Sequence, residues 1–292
     1  MPLSAVANAR HIRTAVSAAV VCALVFAAIA PFAAIPLPPL PAFIPIYQSS
    51  ITVNDGLTAA LLLAHAYYSR SRPLLILACG YVFTTLITIT HTLTFPGLFS
   101  AAGLLGAGDQ TTAWLYMFWH AGFPLFVIAY VYDRNLAVSR RAVGIAVLGV
   151  AAIVGALTVL ATALHDTLPR IMAANHYAPA YAAVIATVWA CSGMGLYALW
   201  KKRTHSVLDV WLMLVLWVWI IEVGLAAVLN SGRFDLGFYA GRTFGLIASS
   251  ILLYVVLFEY SGSFFRMQAA YAQLAESRAR EAALKSVHEA HA

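Results

Sequence analysis

Eight apolar stretches constrain this chain more than any other feature, because each approaches the ~20 residues that an α-helix needs to cross a bilayer. They run Ala15–Ile35, Ser49–Tyr68, Leu74–Leu93, Ala113–Tyr132, Ala142–Leu164, Pro179–Trp200, Val207–Leu229 and Phe238–Tyr260. Eight crossings take up more than half of the 292 residues, which are 62% hydrophobic and only 10% charged. A globular chain is about half apolar and about a quarter charged. The pattern therefore excludes a soluble enzyme, a nucleic-acid module, a disordered regulator and a disulfide-stapled secreted domain. Cys22, Cys79 and Cys191 lie inside apolar runs without C-x-x-C spacing, so they indicate neither a zinc knuckle nor a disulfide framework. The expected fold is an all-α, polytopic membrane bundle of eight transmembrane helices with a C-terminal cytoplasmic helix.

The +6 net charge invites a nucleic-acid reading, but the positions of the charges oppose it. Arg10/Arg13, Arg70/Arg72, Arg134/Arg140/Arg141 and Lys201/Lys202/Arg203 fill the N-terminus and every second loop. Arg266, Arg278, Arg280 and Lys285 follow the last crossing on that same side, so 14 of the 17 basic residues share one face of the membrane. The positive-inside rule makes that face cytoplasmic. Both termini are then cytoplasmic, as an even number of crossings also requires. Arg10 and Arg13 ahead of a run ending Ala28-Ile29-Ala30 also fit a signal peptide. Its removal leaves seven crossings and an outside N-terminus, with the other spans unchanged.

The expected organisation is a cytoplasmic N-terminus (1–14), a membrane domain (15–260) and a cytoplasmic helical segment (261–292). Two outer loops stand out. Six prolines between Pro31 and Pro45 favour stiff polyproline-like backbone. The loop Phe95–Thr112 is apolar and glycine-rich, which suits a lid or half-inserted turn packed on the helix ends. Past Tyr260 the chain turns alanine-rich and charged without proline, a helix-forming composition. Phe264, Met267, Tyr271 and Leu274 follow 3-4 heptad spacing. Continuing in register puts Arg278 and Glu281 on the seam, and dropping one residue gives Ser277, Glu281, Leu284 and His288. The heptad is too short for an autonomous coiled coil. It suits a helix that continues the last crossing and pairs with its own copy in a homodimer, or a solvated helical tail.

Ionisable groups within a span cost several kcal/mol unless paired or wetted, so each one marks a candidate site. Asp55, His91, His120, Glu222 and Arg242 are those groups, and Asn54 adjoins Asp55. At 1.5 Å per helical residue they lie about 9, 5, 11, 11 and 6 Å from the outer ends of their expected helices, a single slab of the outer leaflet. Tyr81, Thr84, Thr88 and His91 form one polar stripe on the third span. On the fourth span Tyr116, His120 and Phe123 share a face, with Trp114 and Trp119 nearby and Pro124 expected to kink the helix. Arg242, Gly245 and Ser249 line one side of the eighth. Tyr47 and Gln48 precede the second.

Several chemistries fit these residues. Two imidazoles and two carboxylates suit a transition metal, and His91 with His120 suit haem ligation. No H-E-x-x-H motif or i, i+4 histidine pair supports a metal centre. Alternatively Arg242 pairs with Glu222 or Asp55 while the aromatics enclose a small ligand, or the polar groups only brace the bundle. There is no G-x-S-x-G, Walker A or G-x-G-x-x-G motif, so the chain reads as non-enzymatic. His65 and Cys79 read as packing residues. Asp209 and Glu259 read as solvated helix ends, and His288 and His291 are too few for a metal tract. A transporter or channel and a haem- or metal-binding redox protein remain as alternative classes.

The segments AFIPIYQSSITVND (Ala42–Asp55) and HTLTFPGLFSAAGLLGAGDQTTAWLYMFWHAGFPLFVIAY (His91–Tyr130) resemble hallmark stretches of the fourth type of membrane-associated sensor (MASE) domain. The resemblance extends from the first crossing to the eighth. It implies an integral-membrane input module that precedes a diguanylate cyclase or histidine kinase domain in bacteria and signals through the helix after Tyr260. The matching positions are Tyr47, Gln48, Asn54, Asp55, His91, Pro96, Trp114, Tyr116, Trp119 and His120, which coincide with the polar slab. The chain departs from the usual arrangement in having no GG[DE]EF motif and no kinase nucleotide-binding motif before Ala292. The output domain is then expected outside these residues or on a partner. The expected partners are lipid, a second copy, the output domain and a small ligand of unknown identity, with no nucleic acid.

Overall fold

The computed structural model of the chain describes residues 5–134, 136–173 and 176–290. Eight long helices account for most of them: α1 (Ala9–Ile29), α2 (Phe43–Ser69), α3 (Arg72–Leu93), α4 (Thr111–Tyr132), α5 (Arg140–Ala161), α6 (Tyr181–Trp200), α7 (Val207–Val223) and α8 (Leu236–Ala290). Short 3-10 turns follow α1 and α5, and a two-residue hairpin, Met172–Ala173 with His176–Tyr177, precedes α6. Among the described residues, seven helices are long and apolar enough to cross a membrane. The exception is α2. Its 27 residues are more than sufficient in length, but its buried face carries Gln48, Asp55, Thr58 and His65. That polar face packs inside the bundle against α3 and α8, while Ile46, Val53 and Leu57 on the opposite side are exposed.

Loop contacts sort the helix ends into two groups. At one end Ala7 N–H donates to the His205 carbonyl at 2.9 Å and Val138 N–H to that of Arg70 at 3.0 Å. At the other, Leu236 N–H donates to the Ile35 carbonyl at 2.9 Å and the Tyr239 hydroxyl to that of Pro38 at 3.0 Å. Gln110 ties the Phe95–Thr112 loop to the hairpin, accepting from Ile171 and Met172 N–H at 2.8 and 2.9 Å. The chain thus alternates ends eight times. The end bearing the long loops is called the loop end below, and the end from which α8 projects is the tail end.

Helix termini follow local chemistry. Asn8, Ser71, Ser139 and Ser206 cap α1, α3, α5 and α7 by accepting first-turn N–H groups. The second and eighth expected spans are shorter than the helices. α2 begins at Phe43 because Pro45 falls in its first turn, where no N–H is needed. Tyr47 and Gln48 therefore belong to the helix. α4 continues through Pro124. α8 does not end at Tyr260 but runs unbroken from Leu236 to Ala290.

Burial separates inner from outer helices. α3, α4 and α7 form the core with α2, and Phe123, Leu115, Leu77, Leu212 and Leu216 are wholly enclosed. α1 and α5 sit outside, with few buried side chains and apolar faces turned outward. A lipid-facing helix has that distribution. α1 rests on α7, where Trp217 Nε1 donates to the Ala19 carbonyl at 3.2 Å. Asp209 is not solvated as expected: its side chain is enclosed, forms a capping box with Ser206 and accepts from Lys202 Nζ at 2.7 Å and the Tyr130 hydroxyl at 2.9 Å. Glu259 is also mostly covered, 3.9 Å from His11 Nε2. On the tail, Phe264, Met267, Tyr271 and Leu274 are all exposed. The side chains of Leu284 and His288, and all of His291, lie outside the described residues.

Candidate functional site

A column of polar side chains descends from the loop end to the middle of the bundle, each on a helix that the core holds rigid. Its centre is His120 on α4. The ring Nδ1 lies 2.8 Å from the Tyr116 carbonyl, one turn earlier on the same helix. A carbonyl only accepts, so Nδ1 carries the proton. Nε2 lies 3.1 Å from Glu222 Oε1 on α7, and both side chains are closed to solvent. The pair therefore shares one proton, either as imidazolium with carboxylate or as imidazole with carboxylic acid. Its net charge is zero in both forms. Tyr47 on α2 donates to the same Oε1 at 3.4 Å.

Aromatic rings enclose this pair. Tyr116 stacks on His120 at 3.9 Å between centroids, and Trp119 and Trp219 stand 4.7 and 5.2 Å from it. The Tyr116 hydroxyl and the indole nitrogens of Trp119 and Trp219 are buried without a hydrogen-bond partner. Orphaned donors of this kind are rare in native interiors. Three sit in one cage.

Glu222 reaches this position because of two backbone features. One residue beyond it, past Val223, α7 widens into a π-helical turn, Gly224–Leu229, an irregularity that recurs at functional sites. Facing it, α8 presents Gly237, Gly241 and Gly245 at four-residue spacing. A Cβ on Gly245 would stand 2.7 Å from the Glu222 carboxyl, and one on Gly241 would stand 2.6 Å from Ala226 Cβ. Small residues in this pattern allow membrane helices to approach closely.

Below the pair, Ser249 on α8 donates to Asp55 Oδ1 on α2 at 2.7 Å, and Asn54 Nδ2 donates to Ser250 Oγ at 2.9 Å. Asp55 and Glu222 are near enough for their charges to interact. The Tyr81 hydroxyl, in electrostatic reach of Asp55, is also buried without a partner. Above the pair, Gln48 hydrogen-bonds His91 Nδ1 and accepts from the Thr92 hydroxyl at 2.6 Å.

Arg242, 8% exposed, closes the column at the loop end. It forms no ion pair with Glu222 or Asp55, contrary to one sequence expectation. Instead it donates to the Phe238 carbonyl at 3.2 Å and lies 3.6 Å over the Phe238 ring. Across a cavity of about 50 Å³, Arg233 donates to the Thr112 hydroxyl at 2.9 Å. Burial and the Arg242 charge push the Arg233 pKa down from its ordinary value.

Most of the expected residues therefore converge, but not at one depth. α2 starts six residues earlier than expected, which puts Asp55 about 18 Å along it, while α3 ends at Leu93 as expected and keeps His91 in its last turn. The slab is a column. Trp114 does not join it, for its indole turns away to the Pro169 carbonyl at 3.1 Å. Thr88 donates within its own helix to the Thr84 carbonyl at 2.7 Å. Among the described residues, no group of three or more His, Cys, Asp or Glu side chains could hold a metal ion. Both nitrogens of His120 and Nδ1 of His91 already have protein partners. Trp219, Arg233 and Tyr177, the last two lining the cavity with Arg242, are not among the expected candidate residues, and Ser249 is expected only as a small residue on the Arg242 side of the eighth span. Trp219 was discoverable three positions before Glu222, and Arg233 as a rare basic residue on the weakly charged side.

Residues 38–262 match a family model, MASE4, described as a membrane-associated sensor, integral membrane domain. No curated protein and no solved structure matches the chain significantly.

Proposed function

The chain belongs to the membrane-associated sensor family, an integral-membrane sensory domain, and from that membership we propose that its polar column is the sensing site and α8 its transmitter. The observation that carries this reading is the continuity of α8. Arg242 and Ser249 face the column, and the same uninterrupted helix extends to Ala290, about 70 Å beyond Arg242. A ligand that binds two packings of the column unequally shifts their populations. Any rotation or sliding of α8 that distinguishes those packings moves the tail as well.

In this account a small ligand sits among Tyr47, His91, Tyr116, Trp119, His120, Glu222 and Arg242. Gln48, Asn54, Asp55 and Tyr81 set how α2 and α3 meet α8. Trp114 and Thr88 hold loop and helix geometry. The tail end is cytoplasmic, in a bacterial inner membrane, and the segment 261–292 leads to a diguanylate cyclase or histidine kinase output. Two copies pair through the exposed stripe of Phe264, Met267, Tyr271 and Leu274, whose 3-4 spacing suits a helix dimer.

The test is a fusion of the chain, through α8, to a diguanylate cyclase domain in bacterial membranes. His120→Ala and Asp55→Ala are expected to change cyclic dinucleotide output at matched membrane abundance. Unchanged output in both refutes the reading.

A further inference from the structure

The charge balance at the loop end specifies what class of molecule the column takes. The His120–Glu222 pair is neutral in sum, and Asp55 lies deeper, bonded to Ser249. Arg242 and Arg233 both line the cavity of about 50 Å³, and among the described residues neither has a carboxylate within ion-pair distance. The carboxylate nearest in sequence, Asp235, is occupied as the cap of α8. It accepts from Ser231 N–H and hydroxyl at 2.7 and 3.1 Å, Gly232 N–H at 3.3 Å and Phe238 N–H at 2.8 Å. Two guanidiniums, that of Arg242 buried and that of Arg233 partly exposed, thus face one half-open pocket with no counter-charge at ion-pair distance among the described residues, and an uncompensated buried charge is costly.

The remaining walls suit a small oxyanion. The buried Tyr116 hydroxyl lines the cavity without a partner and can donate. The Arg242 guanidinium lies 3.6 Å over the Phe238 ring and donates to the Phe238 carbonyl, and that of Arg233 lies 5.6 Å over Phe95 and donates to Thr112, so each guanidinium is tethered beside the pocket. A planar fork matches carboxylate or phosphate geometry better than an ammonium does. Drug-sized ligands need about 300–1,000 Å³, far more than this cavity offers.

We propose that Arg233, Arg242 and the Tyr116 hydroxyl form a binding site for a small oxyanion, a short-chain carboxylate or an inorganic phosphate, beneath the loop end of the bundle. The proposal rests on the sensing-site reading for its role but not for its existence. Through Arg242 the anion contacts α8 directly, and through Arg233 it contacts the Ser231–Asp235 turn that starts that helix. Binding would draw the turn and α8 together with α4, which supplies Tyr116 and, through Thr112, the rest for Arg233.

The experiment uses the full chain in lipid nanodiscs, with thermal unfolding and calorimetry against sodium acetate and sodium phosphate. Sodium chloride at equal ionic strength is the reference. The expected result is saturable stabilisation by at least one oxyanion, and which anion binds identifies the source. Binding should weaken about tenfold in Arg242→Lys and in Arg233→Gln, and persist in Arg203→Gln at the tail end. Arg242→Lys keeps the charge and loses only the fork, so it remains folded where Arg242→Gln fails. No saturable effect of either oxyanion overturns the site, as does equal binding by wild type and both site variants. Binding without any change in the output of the fused cyclase sustains the anion site and refutes the sensing-site reading instead.

Discussion

His120 Nε2 and Glu222 Oε1 face each other 3.1 Å apart across the α4–α7 contact, with neither side chain open to solvent. Because Nδ1 is committed to the Tyr116 carbonyl, the two residues share a single proton and depend on one another. Removing either partner leaves a buried polar group unmatched, and breaking such a pair costs about 3–5 kcal/mol. A His120→Ala/Glu222→Ala double-mutant cycle, measured by unfolding in detergent micelles, should therefore give a coupling of about 1–3 kcal/mol. Effects that add to within about 0.5 kcal/mol would show that the contact is not made in the protein.

Gly245 provides the room for that carboxylate. A Cβ there would stand 2.7 Å from Glu222, whereas one on Gly193 of α6 meets nothing within 4 Å. Gly245→Val is expected to destabilise the bundle by about 1–3 kcal/mol through overpacking, with Gly193→Ala close to neutral. Thermal midpoints of the two variants in nanodiscs check the contrast. Equal midpoints would mean that α7 and α8 do not approach as closely as described.

Orientation can be read with an impermeant maleimide on intact cells. Ser100 and Arg170 are exposed at the loop end, and Arg141 and Lys201 at the tail end. Ser100→Cys and Arg170→Cys should label on intact cells, and Arg141→Cys and Lys201→Cys only after lysis. Cys79 and Cys191 are buried and contribute little background. The reverse pattern would turn the chain over and put the tail outside the cytoplasm.

If α8 transmits by rotation, the phase of the tail matters more than its length. Inserting seven residues after Ser277 returns the following helix to within about 20° of its original facing. Inserting two turns it by about 200° at 3.6 residues per turn. The fused chain should tolerate the first insertion and lose its response to site substitutions with the second. Equal responses in the two insertions would exclude a rotational mechanism.

How much of this could be read from residue types follows from what each feature depends on. The crossings were evident because a bilayer demands some 20 apolar residues in a row, a local and additive property. The start of α2 was not, because Pro45 reads as a loop residue until its first-turn position is known. That one displacement turned a slab into a column, since every depth on α2 was counted from it. The five ionisable residues were visible as exceptions in apolar runs, but their pairing depends on which helix faces which. Glu222 chose His120 rather than Arg242, and no spacing along one helix encodes that choice. The π turn after Glu222 has no residue pattern of its own. By contrast, Gly237, Gly241 and Gly245 stand at four-residue intervals in the sequence, although only Gly245 figures in the expected close approach.

The most direct test of the account is the output of the cyclase-fused chain with Glu222→Gln, compared with wild type at matched folded abundance. Glutamine keeps a hydrogen-bonding group beside His120 but cannot share the proton, so it changes the balance between packings without emptying the core. A coupling of about 1 kcal/mol or more between site and tail, the lower end of allosteric couplings, predicts a change in output of about fivefold or more. An output equal to that of wild type, in a variant with an unchanged thermal midpoint, would contradict a link between the column and α8.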